Sequence, residues 1–188
     1  MLTERFSQAI TLAIEAHTNQ TRKGTEIPYI SHPLGVASIA LEYGADEDQA
    51  MAALLHDAIE DGGQEYAQRI RLQFGDRVAN IVEGCTDGIP NANGEKEAWK
   101  IRKERYLDHL KHASEDVLLV SGSDKLHNAR AIVDDLVRIG PAVFDRFTAS
   151  QEQTLWYYDS LSKIFTERKM PMAKALMDSV HRMKILAN

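Results

Sequence analysis

An all-α fold is what this sequence predicts, and three observations lead there. Apolar residues recur at helical spacing through nearly every periodic segment. Strand-type alternation is absent. Glycine, proline and short polar residues stand where helices of ordinary length would begin and end.

Phe6, Ile10, Ala13, Ile14 and His17 fall at i, i+4, i+7, i+8 and i+11, one face of a first helix. The stretch TRKGTEIPYISHP follows, with a glycine, two prolines and no period, and reads as a structured loop. A second helix begins at Pro33, since proline suits a first turn. It turns Val36, Ile39, Ala40 and Tyr43 inward and stops at Gly44. Asp46 with Gln49 three positions on forms a capping box. It opens a third helix that runs to Asp61, with Gly62 and Gly63 ending it.

A fourth helix covers Gln64 to Phe74 and ends at Gly75; a fifth takes Asp76 as N-cap and carries Val78, Ile81, Val82 and Cys85. DGIPNANGE is the clearest loop in the chain, expected to rim a pocket and to act as a lid. A charged helix from Glu95 to His112 follows, with Trp99, Tyr106, Leu107 and Leu110 as its apolar contacts. Ser114 caps a long segment to Ile139, closed by Gly140 and Pro141. Two more helices lie around Gln151 to Glu167 and Pro171 to Leu186. No repeat, low-complexity tract or long linker divides the chain, so residues 1–188 are expected to form one domain.

Composition narrows the function. Hydrophobic residues at 44% and charged residues at 27% describe an ordinary globular protein. A net charge of −6 argues against a general nucleic-acid binder, although a local cationic pocket for a phosphorylated small molecule stays open. Cys85 is the single cysteine, which excludes an intramolecular disulfide and a thiolate metal cluster. No apolar run approaches the roughly 20 residues of a membrane helix, and MLTERFSQAI lacks a signal-peptide core. A cytoplasmic location, without membrane attachment, is the expectation; the oligomeric state is not readable.

The chemistry concentrates in ALLHDAIED, residues 53–61. Residues three and four apart share a helix face, so His56 with Glu60, Asp57 with Asp61, and Asp57 with Glu60 project from adjoining stripes. Three acids within five positions repel one another without a cation, and acids near a helix C-terminus oppose its dipole. A divalent transition metal bound by imidazole and carboxylate would relieve both. Spacing alone leaves this reading level with a solvated helix end. Two other segments favour the metal: His32 in YISHP, at the mouth of a helix, and Asp124 in VLLVSGSDKLHN. Asp124 follows an apolar run, has the small neighbours Ser121, Gly122 and Ser123, and shares a face with Asn128 at i+4. Together these supply four nitrogen and oxygen ligands and leave positions open for water.

RKGTEIPYISHP, AALLHDAIED and SDKLHNAR resemble, in order, the RKxGxPYxxHP, AALLHDxxED and ADKLHNxR blocks of the Rel/SpoT alarmone hydrolases, within the HD-domain metal-dependent phosphohydrolases. The resemblance covers residues 5 to 165, and among these proteins the stand-alone small alarmone hydrolases are the most similar. It implies a compact HD-domain bundle of about eight to ten helices. It implies hydrolysis of the 3′-pyrophosphate of (p)ppGpp to GDP or GTP, with Mn²⁺ as cofactor and a role in the stringent response. By position, His32, His56, Asp57 and Asp124 would be metal ligands. Glu60 and Asp61 would activate and position the attacking water. Arg22, Lys23 and Asn128 would contact the nucleotide. Lys125 and Arg130 would add positive potential or face solvent, and Tyr157 and Tyr158 would form a stacking wall or, for at least one of them, core.

Ser123 replaces the family's alanine before Asp-Lys, a small-for-small change. The segment TDGIPNANGEKEAW departs further, and leaves base specificity open. Alternative readings are an HD phosphohydrolase acting on another nucleotide, such as (p)ppApp, NADPH or a dNTP, and a catalytically silent nucleotide-sensing module. The presence of both Glu60 and Asp61 speaks against the silent module.

Overall fold

The computed structural model describes residues 1–88 and 97–188; the side chain of Asp61 also lies outside the described residues. The expected lid in DGIPNANGE therefore falls largely outside what is described. Among the described residues the regular structure is helical, with a single isolated β-bridge and no strand.

Helix α1 spans Glu4–Ala16, α2 Ser31–Glu42, α3 Glu47–Leu55, α4 Ala58–Gly62, α5 Gln64–Phe74 and α6 Asp76–Cys85. Then come α7 Trp99–His112, α8 Glu115–Ile139, a 3-10 helix Gly140–Arg146, α9 Gln151–Glu167 and α10 Ala173–Leu186. The caps follow the local chemistry. Ser114 Oγ accepts from the Val117 N–H, and Asp46 with Gln49 and Ser150 with Gln153 close reciprocal capping boxes. Each box satisfies donors that a helix start otherwise leaves bare.

Helix α8 is the axis of the molecule: α2, α3, α6, α9 and α10 all pack on it. Its side chains from Val117 to Asp124 are buried without interruption, which an exposed amphipathic helix would not permit. Helix α3 is also enclosed, with Ala50, Met51, Ala52, Ala53, Leu54 and Leu55 all fully buried. Small alanines let α1, α2 and α6 approach it, while Met51, Leu54 and Leu55 each contribute about 1.5 to 3 kcal/mol through burial. Among the described residues, no helix is long and apolar enough to cross a membrane.

The structure differs from the sequence expectation at four places, the first being that Asp76 is not an N-cap but the first residue of α6, with Gly75 before it as the cap. On α1 the buried residues are Ala9, Leu12 and Ala13, whereas Ile14 is exposed. Helix α2 starts at Ser31, two residues before Pro33, so His32 sits inside its first turn. The expected helix from Asp46 to Asp61 is broken at His56 and Asp57 into α3 and α4. The cause is local: His56 Nδ1 hydrogen-bonds the Ala53 carbonyl at 2.8 Å, the acceptor a continuing helix would offer to the Asp57 N–H. The gap between two helices is thus where the chain places its His-Asp pair.

Candidate active site

Three elements deliver the side chains expected at the site. The first is the loop before α2. Its Thr21–Pro28 bridge, with Arg22 N–H to Ile27 carbonyl at 2.8 Å and Tyr29 N–H to Gln20 carbonyl at 2.9 Å, folds RKGTEIPY back on itself. Gly24 turns this loop at φ +68°, where Arg146 lies too close for a Cβ. The loop ends by placing Tyr29 and His32 beside the α3–α4 break. The second element is that break, with His56 and Asp57. The third is the middle of α8, with Asp124 and Asn128 one turn apart.

Four ligand-type atoms converge there. His32 Nε2 lies 3.2 Å from Asp124 Oδ1 and 3.5 Å from Asp57 Oδ2. His56 Nε2 lies 3.1 Å from Asp57 Oδ2 and 3.7 Å from Asp124 Oδ1. His32, His56 and Asp124 are buried and offer atoms all within 4.8 Å of one another; Asp57 borders them, half-buried. Atoms about 2.1 Å from a common ion stand about 3.0 Å apart at right angles and about 3.4 Å apart at the tetrahedral angle. The four nitrogen–oxygen separations, 3.1 to 3.7 Å, lie close to those values.

Hydrogen bonds behind these atoms fix their orientation. With its Nδ1 proton on the Ala53 carbonyl, His56 turns the Nε2 lone pair inward, and this buried nitrogen has no hydrogen-bond partner among the described residues. Its 3.1 Å approach to Asp57 does not meet hydrogen-bond geometry. A lone pair facing carboxylate oxygens is repulsive unless a cation stands between them. The nitrogen and oxygen donors therefore fit a divalent metal. The alternative cation is a proton, and the electrostatics show the demand for one. Burial lowers the His56 pKa, but the charges of Asp57 and Asp124 more than offset it and hold it well above the ordinary imidazole range. Burial raises the two carboxyls, yet His56 at Asp57, and Lys125 with the histidines at Asp124, bring them well below the usual range.

Three residues support the cluster that sequence reasoning missed or left unassigned. His127 Nδ1 meets His32 Nδ1 at 2.9 Å. For His32 Nε2 to present a lone pair, His32 must be the donor and His127 the acceptor. Burial, then the neighbouring His32 and Arg22, lowers the His127 pKa to about 4, which keeps it a neutral acceptor. His127 lies at i+3 from Asp124, so helical spacing carried the signal. The Tyr29 hydroxyl donates to Asp57 Oδ2 at 2.6 Å. Lys125, which the sequence could equally have sent to solvent, donates to Asp124 Oδ2 at 2.5 Å, while Asn128 Nδ2 donates to Oδ1 at 2.5 Å.

Of the residues expected to meet the nucleotide, Arg22 donates to Asn128 Oδ1 at 2.7 Å and so joins the site; Lys23 is exposed at the loop surface. Glu60 is half-buried on α4, one turn beyond Asp57. Asp61 follows it on the helix backbone, its side chain outside the described residues. Tyr157 and Tyr158 are both buried at 5% and 7% exposure, which makes them core and not a stacking wall.

The chain matches the family model for the HD domain over residues 9–153. It is 41% identical over 138 residues to guanosine-3′,5′-bis(diphosphate) 3′-pyrophosphohydrolase MESH1 of Xenopus tropicalis, covering 71% of this chain and 70% of that protein. The Danio rerio protein of the same name is 37% identical over 139 residues, with 71% of this chain and 70% of that one covered. Among solved structures, a metazoan orthologue of SpoT that hydrolyses ppGpp and plays a role in starvation responses superposes with a TM-score of 0.75. That alignment has 25% identity and covers 99% of this chain and 98% of that one.

Proposed function

The chain belongs to the HD-domain family, and on that premise we propose that it hydrolyses the 3′-pyrophosphate of (p)ppGpp-type alarmones, yielding GDP or GTP and pyrophosphate. The observation that carries this reading is the convergence of two imidazole nitrogens and two carboxylate oxygens beside Arg22 and Asn128, with Glu60 one turn on along α4. Relatives bearing the pyrophosphohydrolase name support the substrate class.

In this reading His32, His56, Asp57 and Asp124 hold one divalent cation, with Mn²⁺ as the proposed ion because the donors are borderline nitrogen and hard oxygen. When bound, such an ion polarises a phosphoryl oxygen and makes water acidic. The chain's own residues do the rest. Glu60 accepts the proton that the attacking water gives up, and Asp61 orients that water. The water oxygen bonds to the phosphorus on ribose O3′, the P–O3′ bond breaks, and O3′ takes up a proton. Arg22, braced on Asn128, gives a planar fork suited to phosphate and to stacking on a base. Lys23 adds a point charge from the loop surface.

The test is a substrate panel of ppGpp, pppGpp, ppApp, NADPH and dNTPs with Mn²⁺, Mg²⁺ and Zn²⁺, resolved by anion-exchange chromatography. Conversion of ppGpp to GDP and pyrophosphate is expected, lost in Asp57→Ala and Glu60→Ala proteins that keep their helical circular dichroism. Intact ppGpp under every metal overturns the proposal, whatever else in the panel is consumed.

A further inference from the structure

Next to the ligand cluster lies a second concentration of charge that the proposed mechanism leaves unused. Arg102 Nη1 and Lys103 Nζ, neighbours on α7, both donate to the carboxylate of Asp87, just after α6. One carboxylate thus serves two cations. Lys103 Nζ also lies over the Tyr157 ring, 5.1 Å from its centroid, and Lys125 Nζ over the Tyr106 ring at 5.3 Å. Arg102, Lys103 and Lys125 keep only 12%, 15% and 12% of their side-chain surface. Burial and the like charge of Lys125 pull the Lys103 amine below its ordinary range despite the adjoining Asp87. Three cations gather here, with Asp87 and Asp124 as their direct partners and Glu60 within electrostatic reach of Lys103, in a place that water reaches poorly.

A second observation is independent of charge. The Tyr157 hydroxyl is buried, on a residue 5% exposed, and has no hydrogen-bond partner among the described residues. A buried donor without an acceptor is costly and rare in folded proteins. Its electrostatic surroundings are Lys125, Asp87 and Asp124, so the hydroxyl belongs to this same corner. A structural ion cluster explains the Asp87 contacts; it does not explain the orphan hydroxyl beside these cations. A lone donor beside grouped cations fits a missing oxyanion.

Asp124 connects the corner to the candidate centre. Lys125 reaches its Oδ2, whereas the Arg22–Asn128 pair reaches its Oδ1. Two basic groups therefore flank the centre from different sides of one carboxylate, as a nucleoside with two separate phosphate chains requires. We propose that Lys103, Lys125 and Tyr157 form an oxyanion subsite for the diphosphate that is released, distinct from the Arg22 side that holds the rest of the nucleotide. This rests on the alarmone reading above. Lysines supply charge without a fixed direction and the phenol one directed donor, a combination suited to a small, highly charged diphosphate.

The experiment is isothermal titration of inorganic pyrophosphate, and separately of GDP, into Mn²⁺-loaded protein. Tyr157→Phe, which deletes only the orphan hydroxyl, should weaken pyrophosphate binding about tenfold or more. Its thermal midpoint should stay level or rise, a pairing that a purely structural role would not give. Lys103→Gln should weaken pyrophosphate similarly, Lys103→Arg should restore most of it, and GDP binding should hold in all three. Unchanged pyrophosphate affinity in folded Tyr157→Phe and Lys103→Gln proteins overturns the subsite, even if the parent cleaves ppGpp. Pyrophosphate binding that depends on Lys103 and Tyr157, in a protein inert toward ppGpp, keeps the subsite and removes the function proposed for it.

Discussion

Gly35→Ala tests whether His127 holds His32 in its metal-facing orientation. A Cβ on Gly35 would stand 2.3 Å from His127 Nε2 and 2.4 Å from its Cδ2, distances that real Cβ atoms do not show. The ring must swing away, and with it the Nδ1 that meets His32 Nδ1 at 2.9 Å. Two consequences of opposite sign follow. In the helix interior alanine is favoured over glycine by about 1 kcal/mol, so the metal-free fold has a gain to set against the crowding. Metal binding has no such compensation. Losing the partner behind a ligating histidine typically costs about 10- to 100-fold in metal affinity, or about 1.4 to 2.7 kcal/mol.

Calorimetric titration of metal-free protein with Mn²⁺ reads the affinity, and thermal unfolding without metal reads the fold. The diagnostic comparison is a double-mutant cycle. With the ring deleted the new methyl has room, so His127→Ala and Gly35→Ala/His127→Ala should bind Mn²⁺ equally weakly, and the single effects should not add. Wild-type affinity in Gly35→Ala refutes the steric route. Wild-type affinity in His127→Ala refutes the orienting role altogether.

Three further outcomes are expected. Mn²⁺ at about 100 times its Kd should stabilise the fold by about 2.7 kcal/mol; at about 2 to 4 °C per kcal/mol for a chain of this size, that is about 5 to 11 °C in Tm, and equal melting with Mn²⁺ and with chelator would sink the ligand assignment. Burial raises the Asp87 pKa, but Lys103, Lys125 and Arg102 more than reverse this and leave it lowered. Its stabilising contribution is therefore present above the unfolded carboxyl value of about 3.9 and lost as pH falls through the folded value. Asp87→Asn should flatten the acid limb of a urea-unfolding series, and an unaltered limb counts against the pairing. Gly122 faces Met172 Sδ and Phe165 Cε1, which a Cβ would meet at 2.7 and 3.2 Å; Gly122→Leu should cost about 1 to 3 kcal/mol by overpacking, and undiminished stability in chemical denaturation would show that the α8 contact is slack.

What could be read in advance depended on whether the signal was local. Ser114, Asp46 and Gly75 marked helix ends correctly because capping is settled within four residues. The motif residues His32, His56, Asp57 and Asp124 were legible as a set, and the fold brings them together. The break between α3 and α4 was not legible, since it turns on the direction of one imidazole ring, which periodicity does not encode. The small neighbours Ser121, Gly122 and Ser123 of Asp124 leave no open space in the structure. Ser121 Oγ pairs with the Tyr106 hydroxyl, Met172 and Phe165 lie against Gly122, and Ser123 Oγ bonds the Leu119 carbonyl. Those residues allow helices to approach, and partners from distant positions decide which use a small residue serves. Tyr29 and Lys125 escaped assignment for the same reason: a hydroxyl or an amine gains meaning only from the carboxylate it meets.

The break also explains why acids can crowd here at all. Had the helix run on from Asp46 to Asp61, the peptide dipoles would have brought partial negative charge to the end carrying Asp57, Glu60 and Asp61. Ending α3 at Leu55 and starting α4 at Ala58 makes Asp57 the N-cap residue of the new helix, beside its positive end. The gain is small for a helix of this length, but its sign is reversed at the residue closest to the cluster. The remaining acids then stand downstream, where Glu60 is within the electrostatic reach of Lys103. The carboxylates thus separate into two environments, with Asp57 held by Tyr29 and facing the histidines, and Glu60 on the next turn near the basic corner. That separation is what a hydrolase needs if one carboxylate is to bind a cation while the other stays available to take a proton.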